Sequence, residues 1–167
     1  VLPEFSVTAT ENIMISASLI PFKTTIKIAA LEPHVQDLMV VLNKMGAEVK
    51  ILPFHQIEIQ GKKKLNGFDH KIVYDSVEAG TYLILAGVTH SKITVKNAFK
   101  DHLDLVLKKL TDFGMSFEIY KNKIIADGTK PLKAVSKIQT MPYPGIPTDL
   151  QCQFGVLATQ AQGVTMI

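Results

Sequence analysis

Thr81-Tyr82-Leu83-Ile84-Leu85-Ala86-Gly87-Val88-Thr89 contains no charged side chain. Behind Ser76-Val77-Glu78-Ala79 it reads as a helix with no face that demands water, and a helix apolar all round is a buried one. An earlier stretch, Asn12 to Ile20, has the same character behind the near-copy Ser6-Val7-Thr8-Ala9. The two openings, led by Ser6 and Ser76, stand about 70 residues apart, the spacing of a repeated supersecondary unit.

The segments after the two openings repeat as well. A short alternating segment comes next, Thr25-Ile26-Lys27-Ile28 in one copy and Thr94-Val95-Lys96-Asn97 in the other. Then comes an amphipathic helix. In the first copy Val35, Leu38, Met39, Leu42 and Met45 fall at three- and four-residue spacing, behind Pro33 and ahead of Gly46. Leu103, Val106, Leu107, Leu110 and Phe113 do the same ahead of Gly114. Two alternating strands close each copy: Glu48 to Ile51 with Gln56 to Ile59, and Ser116 to Tyr120 with Lys123 to Ala126, the latter pair turning at Lys121-Asn122. Period-two alternation gives each strand one dry and one wet face. The predicted unit is therefore helix, strand, helix, strand, strand, with helices inside and sheets outside. A third copy opens at Pro147-Thr148-Asp149.

The 167 residues, 47% hydrophobic and 20% charged, suffice for one domain or two small ones with a real core, and they exclude disorder. A net charge of +3, scattered along the chain, does not argue for a nucleic-acid partner. No apolar run reaches the roughly 20 residues that span a bilayer; Tyr82 to Val88 is the longest candidate. The single cysteine, Cys152, excludes an internal disulfide or a Cys-rich zinc site, and His34, His55, His70, His90 and His102 lack metal-ligand spacing. No metal and no cofactor are expected. Val1-Leu2-Pro3-Glu4 carries no signal sequence, so the expected location is cytoplasmic, for a whole protein or a piece of one. All 18 basic residues are lysine. A chain without arginine lacks the usual bidentate grip on phosphate and carboxylate.

Thr140-Met141-Pro142-Tyr143-Pro144-Gly145-Ile146-Pro147-Thr148-Asp149-Leu150-Gln151 closely resembles a stretch of the UDP-N-acetylglucosamine 1-carboxyvinyltransferases. Ser6 to Asn12, Ala30-Leu31-Glu32-Pro33, and Tyr74-Asp75 with Glu78 to Thr81 agree with the same family, in the same order. The resemblance implies the enolpyruvyl transferase fold, an α/β (α+β) architecture of repeated βαβαββ-type units. It implies transfer of the enolpyruvyl group of phosphoenolpyruvate to the 3-hydroxyl of UDP-N-acetylglucosamine, the first committed step of peptidoglycan synthesis. The likeness is to a central portion of the family. It assigns residues 1–74 to the last unit of one lobe and residues 75–167 to the first unit of the other and the start of its second. Two other readings stay open: the sister transferase acting on shikimate 3-phosphate, and a non-catalytic binding or assembly module of the same fold.

The resemblance also assigns residues. Asp149 would be the general base at the sugar hydroxyl, with Thr148 beside it; by itself, an Asp at that place reads as a helix N-cap. Glu4, Phe5, Ser6 and Val7 match a segment that contacts the UDP moiety, and backbone amides at a helix start suit phosphate. Ser6 alone reads as a cap for its own helix. Glu32 and Asp75 match acidic positions near the sugar nucleotide; their plainer readings are a helix-start acid and a turn residue. The chain departs from the family pattern at Glu4, Thr8 and Ser76, where Lys, Gly and Arg are frequent. Cys152 reads as a small buried hydrophobe rather than a nucleophile. The family's phosphoenolpyruvate pocket uses arginines, an N-terminal Lys-Asn pair and a cysteine loop that these residues do not include. These 167 residues alone are therefore expected to be inactive, to need the rest of the parent enzyme, and to leave buried helices such as Thr81–Thr89 partly uncovered.

Overall fold

The structure is a computed structural model that describes all 167 residues. The chain forms two compact units, Val1–Val73 and Tyr74–Ile167.

In the first unit the order is α1 (Val7–Ser18), β1 (Lys23–Lys27), α2 (Pro33–Lys44), β2 (Glu48–Leu52) and β3 (Gln56–Gln60). The sheet is antiparallel in the order β1-β3-β2, with Ile26 and Ile51 both opposite Ile57. Alternation on β3 turns Ile57 and Ile59 inward and leaves Gln56, Glu58 and Gln60 on the wetter face. Val35, Met39 and Leu42 of α2 and Met14 of α1 meet those isoleucines in one core. Each side chain fully buried there stabilises the fold by about 1.5–3 kcal/mol. Pro33 occupies the first turn of α2, and Gly46 ends the helix at φ +104°, a conformation costly to any residue with a Cβ.

The second unit repeats the order: α3 (Ser76–Val88), β4 (Lys92–Lys96), a 3₁₀ turn at Lys100–His102, α4 (Asp104–Asp112), β5 (Ser116–Tyr120) and β6 (Lys123–Asp127). Its sheet runs β4-β6-β5, again antiparallel. Leu103, Val106, Leu107, Leu110 and Phe113 are all buried, and Gly114 has φ +102°. A 3₁₀ turn at Thr148–Leu150 then leads into α5 (Gln151–Thr159), whose Phe154 stacks on Phe113 with ring centroids 6.5 Å apart. No helix is long and apolar enough to cross a membrane.

The uncharged helix α3 is partly uncovered, the state expected for these residues alone: Leu83, Ile84 and Ala86 are buried, whereas Tyr82 and Leu85 are 47% and 39% exposed. Two sequence expectations need correction. Cys152 is exposed, because α5 turns Phe154 and Leu157 to the core and Cys152 away from it. The repeat register also moves by one residue. The residue equivalent to the α1 N-cap Ser6 is Asp75, the N-cap of α3, rather than Ser76.

The repeat extends to backbone details. Ile28 and Asn97, each just past the first strand of its unit, adopt left-handed conformations at φ +60° and +58°. Gly61 and Gly128 each come directly after the last strand and press on the end of the unit's first helix. A Cβ on Gly61 would stand 2.2 Å from the Ala17 carbonyl oxygen, and one on Gly128 2.3 Å from that of Ala86.

Candidate functional site

In the first unit, the chain enters α1 through Phe5 and Ser6. Ser6 Oγ accepts the Ala9 amide at 3.2 Å, so the capping role read from the sequence is present. The buried Thr10 hydroxyl donates to Ser6 O at 2.7 Å and accepts the Ala30 amide at 3.1 Å. Ser6 also pairs in parallel with Ala29, three residues ahead of Glu32. The start of α1 and the approach to α2 are therefore tied together, which brings Phe5, Ser6 and Val7 to the Ala29–Glu32 side of the unit. Glu4 is exposed. Glu32 occupies the N-cap position of α2 but makes no capping hydrogen bond, and its Oε2 is buried without a partner. Such an oxygen costs about 1–3 kcal/mol unless a donor reaches it.

The hairpin between β2 and β3 closes on the same segment, and the sequence offered no hint of it. Phe54 and His55 at its tip both lie in the left-handed region, at φ +61° and +53°, a strain of about 1–2 kcal/mol each. The His55 ring meets Phe5 edge-on, with centroids 4.8 Å apart and planes at 73°.

In the second unit, Asp75 caps α3: its Oδ1 accepts the amides of Val77 at 2.7 Å and Glu78 at 3.1 Å. The plainer reading of Asp75 as a turn residue thus becomes a capping role. Around it Tyr74, Asn97, Phe99 and His102 line a small recess, with Tyr74–Phe99 and Phe99–His102 centroids at 6.3 and 5.8 Å. The left-handed Asn97 turns the chain into this recess, and Asn tolerates that conformation well.

Asp149 lies in the turn ahead of α5. It does not cap a helix, and neither does Thr148. Pro147 takes the extended position before the turn, and α5 itself starts from Leu150 with no side-chain cap. Asp149 is exposed, and its carboxylate makes no hydrogen bond or ion pair. The turn is held from below by buried Ile146 and Leu150. The preceding loop is closed by Met141 N–H to Ile146 O at 2.9 Å and Gly145 N–H to Pro142 O at 2.8 Å, and a Cβ at Gly145 would lie 2.6 Å from Met141 Cβ.

Helices α3 and α5 run side by side in the same direction. Leu150 lies on Gly80, the Gln153 amide donates to Thr81 Oγ1 at 3.2 Å, and Leu157 lies on Gly87. Asp75, Thr148 and Asp149 therefore gather at one end of this unit, at the starts of two neighbouring helices. A free carboxylate at such a position can take a proton from a hydroxyl, and the helix starts favour anionic groups nearby. A groove of about 430 Å³ elsewhere, between α4 and β5, contains none of these residues. No cluster of His, Cys, Asp and Glu gathers to hold a metal ion.

The chain resembles known proteins along nearly its whole length. It is 41% identical over 97% of its residues to UDP-N-acetylglucosamine 1-carboxyvinyltransferase 1 of Caldanaerobacter subterraneus subsp. tengcongensis, and covers 39% of that protein. It is 45% identical over 97% of its residues to UDP-N-acetylglucosamine 1-carboxyvinyltransferase of Prochlorococcus marinus, covering 35% of it. The chain thus spans little more than a third of the length of the curated relatives it matches. In three dimensions it superposes on the enolpyruvyl transferase NikO from Streptomyces tendae with a TM-score of 0.80 and 22% identity, over 93% of this chain and 38% of that one. That likeness shows the α+β enolpyruvyl transferase fold. A family sequence model matches residues 2–167, and the chain accordingly belongs to the EPSP synthase (3-phosphoshikimate 1-carboxyvinyltransferase) family.

Proposed function

We propose that this chain forms part of a cytoplasmic enolpyruvyl transferase that moves the enolpyruvyl group of phosphoenolpyruvate to the 3-hydroxyl of UDP-N-acetylglucosamine. The reaction would commit the sugar nucleotide to peptidoglycan synthesis, and through it serve cell-wall growth, shape and division. Residues 1–74 would be the last repeat unit of one lobe, and residues 75–167 the first unit and the start of the second of the other.

One observation carries the reading: Asp149, in the Pro147-Thr148-Asp149 motif, offers an exposed and unpaired carboxylate at the start of α5. As the sugar oxygen bonds to the enolpyruvyl carbon, its proton must leave; Asp149 accepts it, and phosphate departs with the broken C–O bond. A positioned base of this kind contributes roughly 10²–10⁴-fold. Phe5, Ser6 and Val7 would contact the UDP portion by main chain and hydroxyl, while Glu4 beside them would repel a diphosphate. Glu32 would accept from a hydroxyl or amide of the amino sugar. In the second unit, Thr148 and Asp75 would act beside Asp149.

The family description favours a second reading, transfer to a shikimate phosphate acceptor. Titration of the full-length gene product with UDP-N-acetylglucosamine and with shikimate 3-phosphate, monitored by amide NMR, separates the two. Shifts at Ser6 and Asp149 with the sugar nucleotide alone support the first. Shifts with shikimate 3-phosphate alone support the second, and a response to neither favours a non-catalytic module.

A further inference from the structure

We propose that His55 is a positioning residue for the Phe5–Val7 segment, acting through Phe5 and Ala29 without touching a ligand; this rests on the reading of that segment as a sugar-nucleotide contact. His55 makes three contacts at the head of α1. Its carbonyl oxygen accepts the Ala29 amide at 2.8 Å, its Nδ1 lies 3.3 Å from the Ala29 carbonyl oxygen, and its ring takes Phe5 edge-on. Ala29 in turn pairs with Ser6. The hairpin tip, the end of the first strand and the start of α1 thus form one clasp.

Comparison of the two repeats separates the halves of this clasp. A backbone bond from the chain leaving the first strand to the hairpin occurs in both, one residue earlier in the second unit, where Asn97 N–H, the counterpart of Ile28, donates to Asn122 O at 2.6 Å. The ring half exists only in the first unit, because Asn122 has no ring to present. The hairpins differ as well: Pro53 to His55 is a three-residue turn with two left-handed residues, whereas Lys121–Asn122 is a two-residue turn with none, and the longer loop sets His55 beside Phe5. The ring on Phe5 then fixes the approach of the chain to Ser6 and Val7.

The test is His55→Gly in the full-length gene product. Glycine adopts the left-handed conformation freely and retains the backbone bond to Ala29. A residue needed only for the turn would therefore be replaced with unchanged or higher thermal stability and unchanged binding. The positioning role predicts unchanged or higher stability together with about tenfold weaker binding of UDP-N-acetylglucosamine, the equivalent of one lost ring contact or hydrogen bond. His55→Phe, which restores an edge-on ring, should recover most of that loss. In ligand-free protein, His55→Gly should move the NMR signals of Phe5 and Ser6. Unmoved signals, or wild-type affinity in His55→Gly, overturn the proposal alone. Failure of the full-length wild-type protein to bind the sugar nucleotide overturns it together with the reading of the segment.

Discussion

Leu150 sits directly on Gly80: a Cβ built on that glycine would stand 2.8 Å from Leu150 Cδ1. The residue next to Asp149 is thus seated on the bare backbone of α3. The contact transmits the position of one helix to the carboxylate at the start of the other.

Gly80→Ala should therefore disturb Asp149 from a distance. Alanine favours the helix by up to about 1 kcal/mol, whereas overpacking a buried site costs about 1–3 kcal/mol. We expect a net loss of about 1 kcal/mol in urea unfolding, with displaced amide signals at Thr148 and Asp149. A stabilised variant with those signals unmoved would show that Leu150 has room to spare.

Gly61 and Gly128 should be far less tolerant. Their missing Cβ atoms face backbone carbonyls, which cannot swing aside as a leucine methyl can. Gly128→Ala should destabilise the second unit, and Gly61→Ala the first, by about 3 kcal/mol each. Calorimetry checks this, and a loss below that of Gly80→Ala would contradict it.

Asp75 serves its helix as a cap whatever else it does. Asp75→Ala should lower stability by about 1 kcal/mol through loss of the bonds to the Val77 and Glu78 amides, and Asp75→Ser should recover most of it. Chemical denaturation of the three proteins reads the difference.

Asp127 should titrate unusually low. The Thr129 hydroxyl at 2.6 Å and amide at 3.1 Å hold its carboxyl below the ordinary carboxylate range, with Lys92 adding to the effect. A carboxyl depressed on folding adds stability that is present above its unfolded pKa, about 4, and is lost as pH falls through its folded value. Carbonyl-detected NMR should find Asp127 below that value, and Thr129→Val should move it back up. An Asp127 that titrates at the ordinary position in the wild type contradicts the assignment.

Much of the fold was legible because its helices α2 and α4 are amphipathic. The spacing of Val106, Leu107 and Leu110 carries a phase, and the glycines after each helix mark its end. Helices α3 and α5 carry almost no charge, so their sequences hold no phase. Gly80 and Gly87, where Leu150 and Leu157 come to rest, decide which side is covered, and this leaves Tyr82, Leu85 and Cys152 exposed. The helix-start positions of Ser6 and Glu32 were readable from local composition. Asp149 was not readable as a non-capping residue, because Pro147 already supplies the extended residue that a cap requires. The contact of Phe5 with His55 was beyond reach, since it joins residues distant in sequence through a hairpin tip whose composition does not advertise a left-handed turn.

Asp149→Asn in the full-length gene product tests the central claim most directly. The side chain is exposed and unpaired, so stability should change by less than about 0.5 kcal/mol. UDP-N-acetylglucosamine should still bind, while phosphate release from phosphoenolpyruvate in its presence should fall by roughly 10²–10⁴-fold. Transfer at the wild-type rate by a folded Asp149→Asn protein would contradict the account.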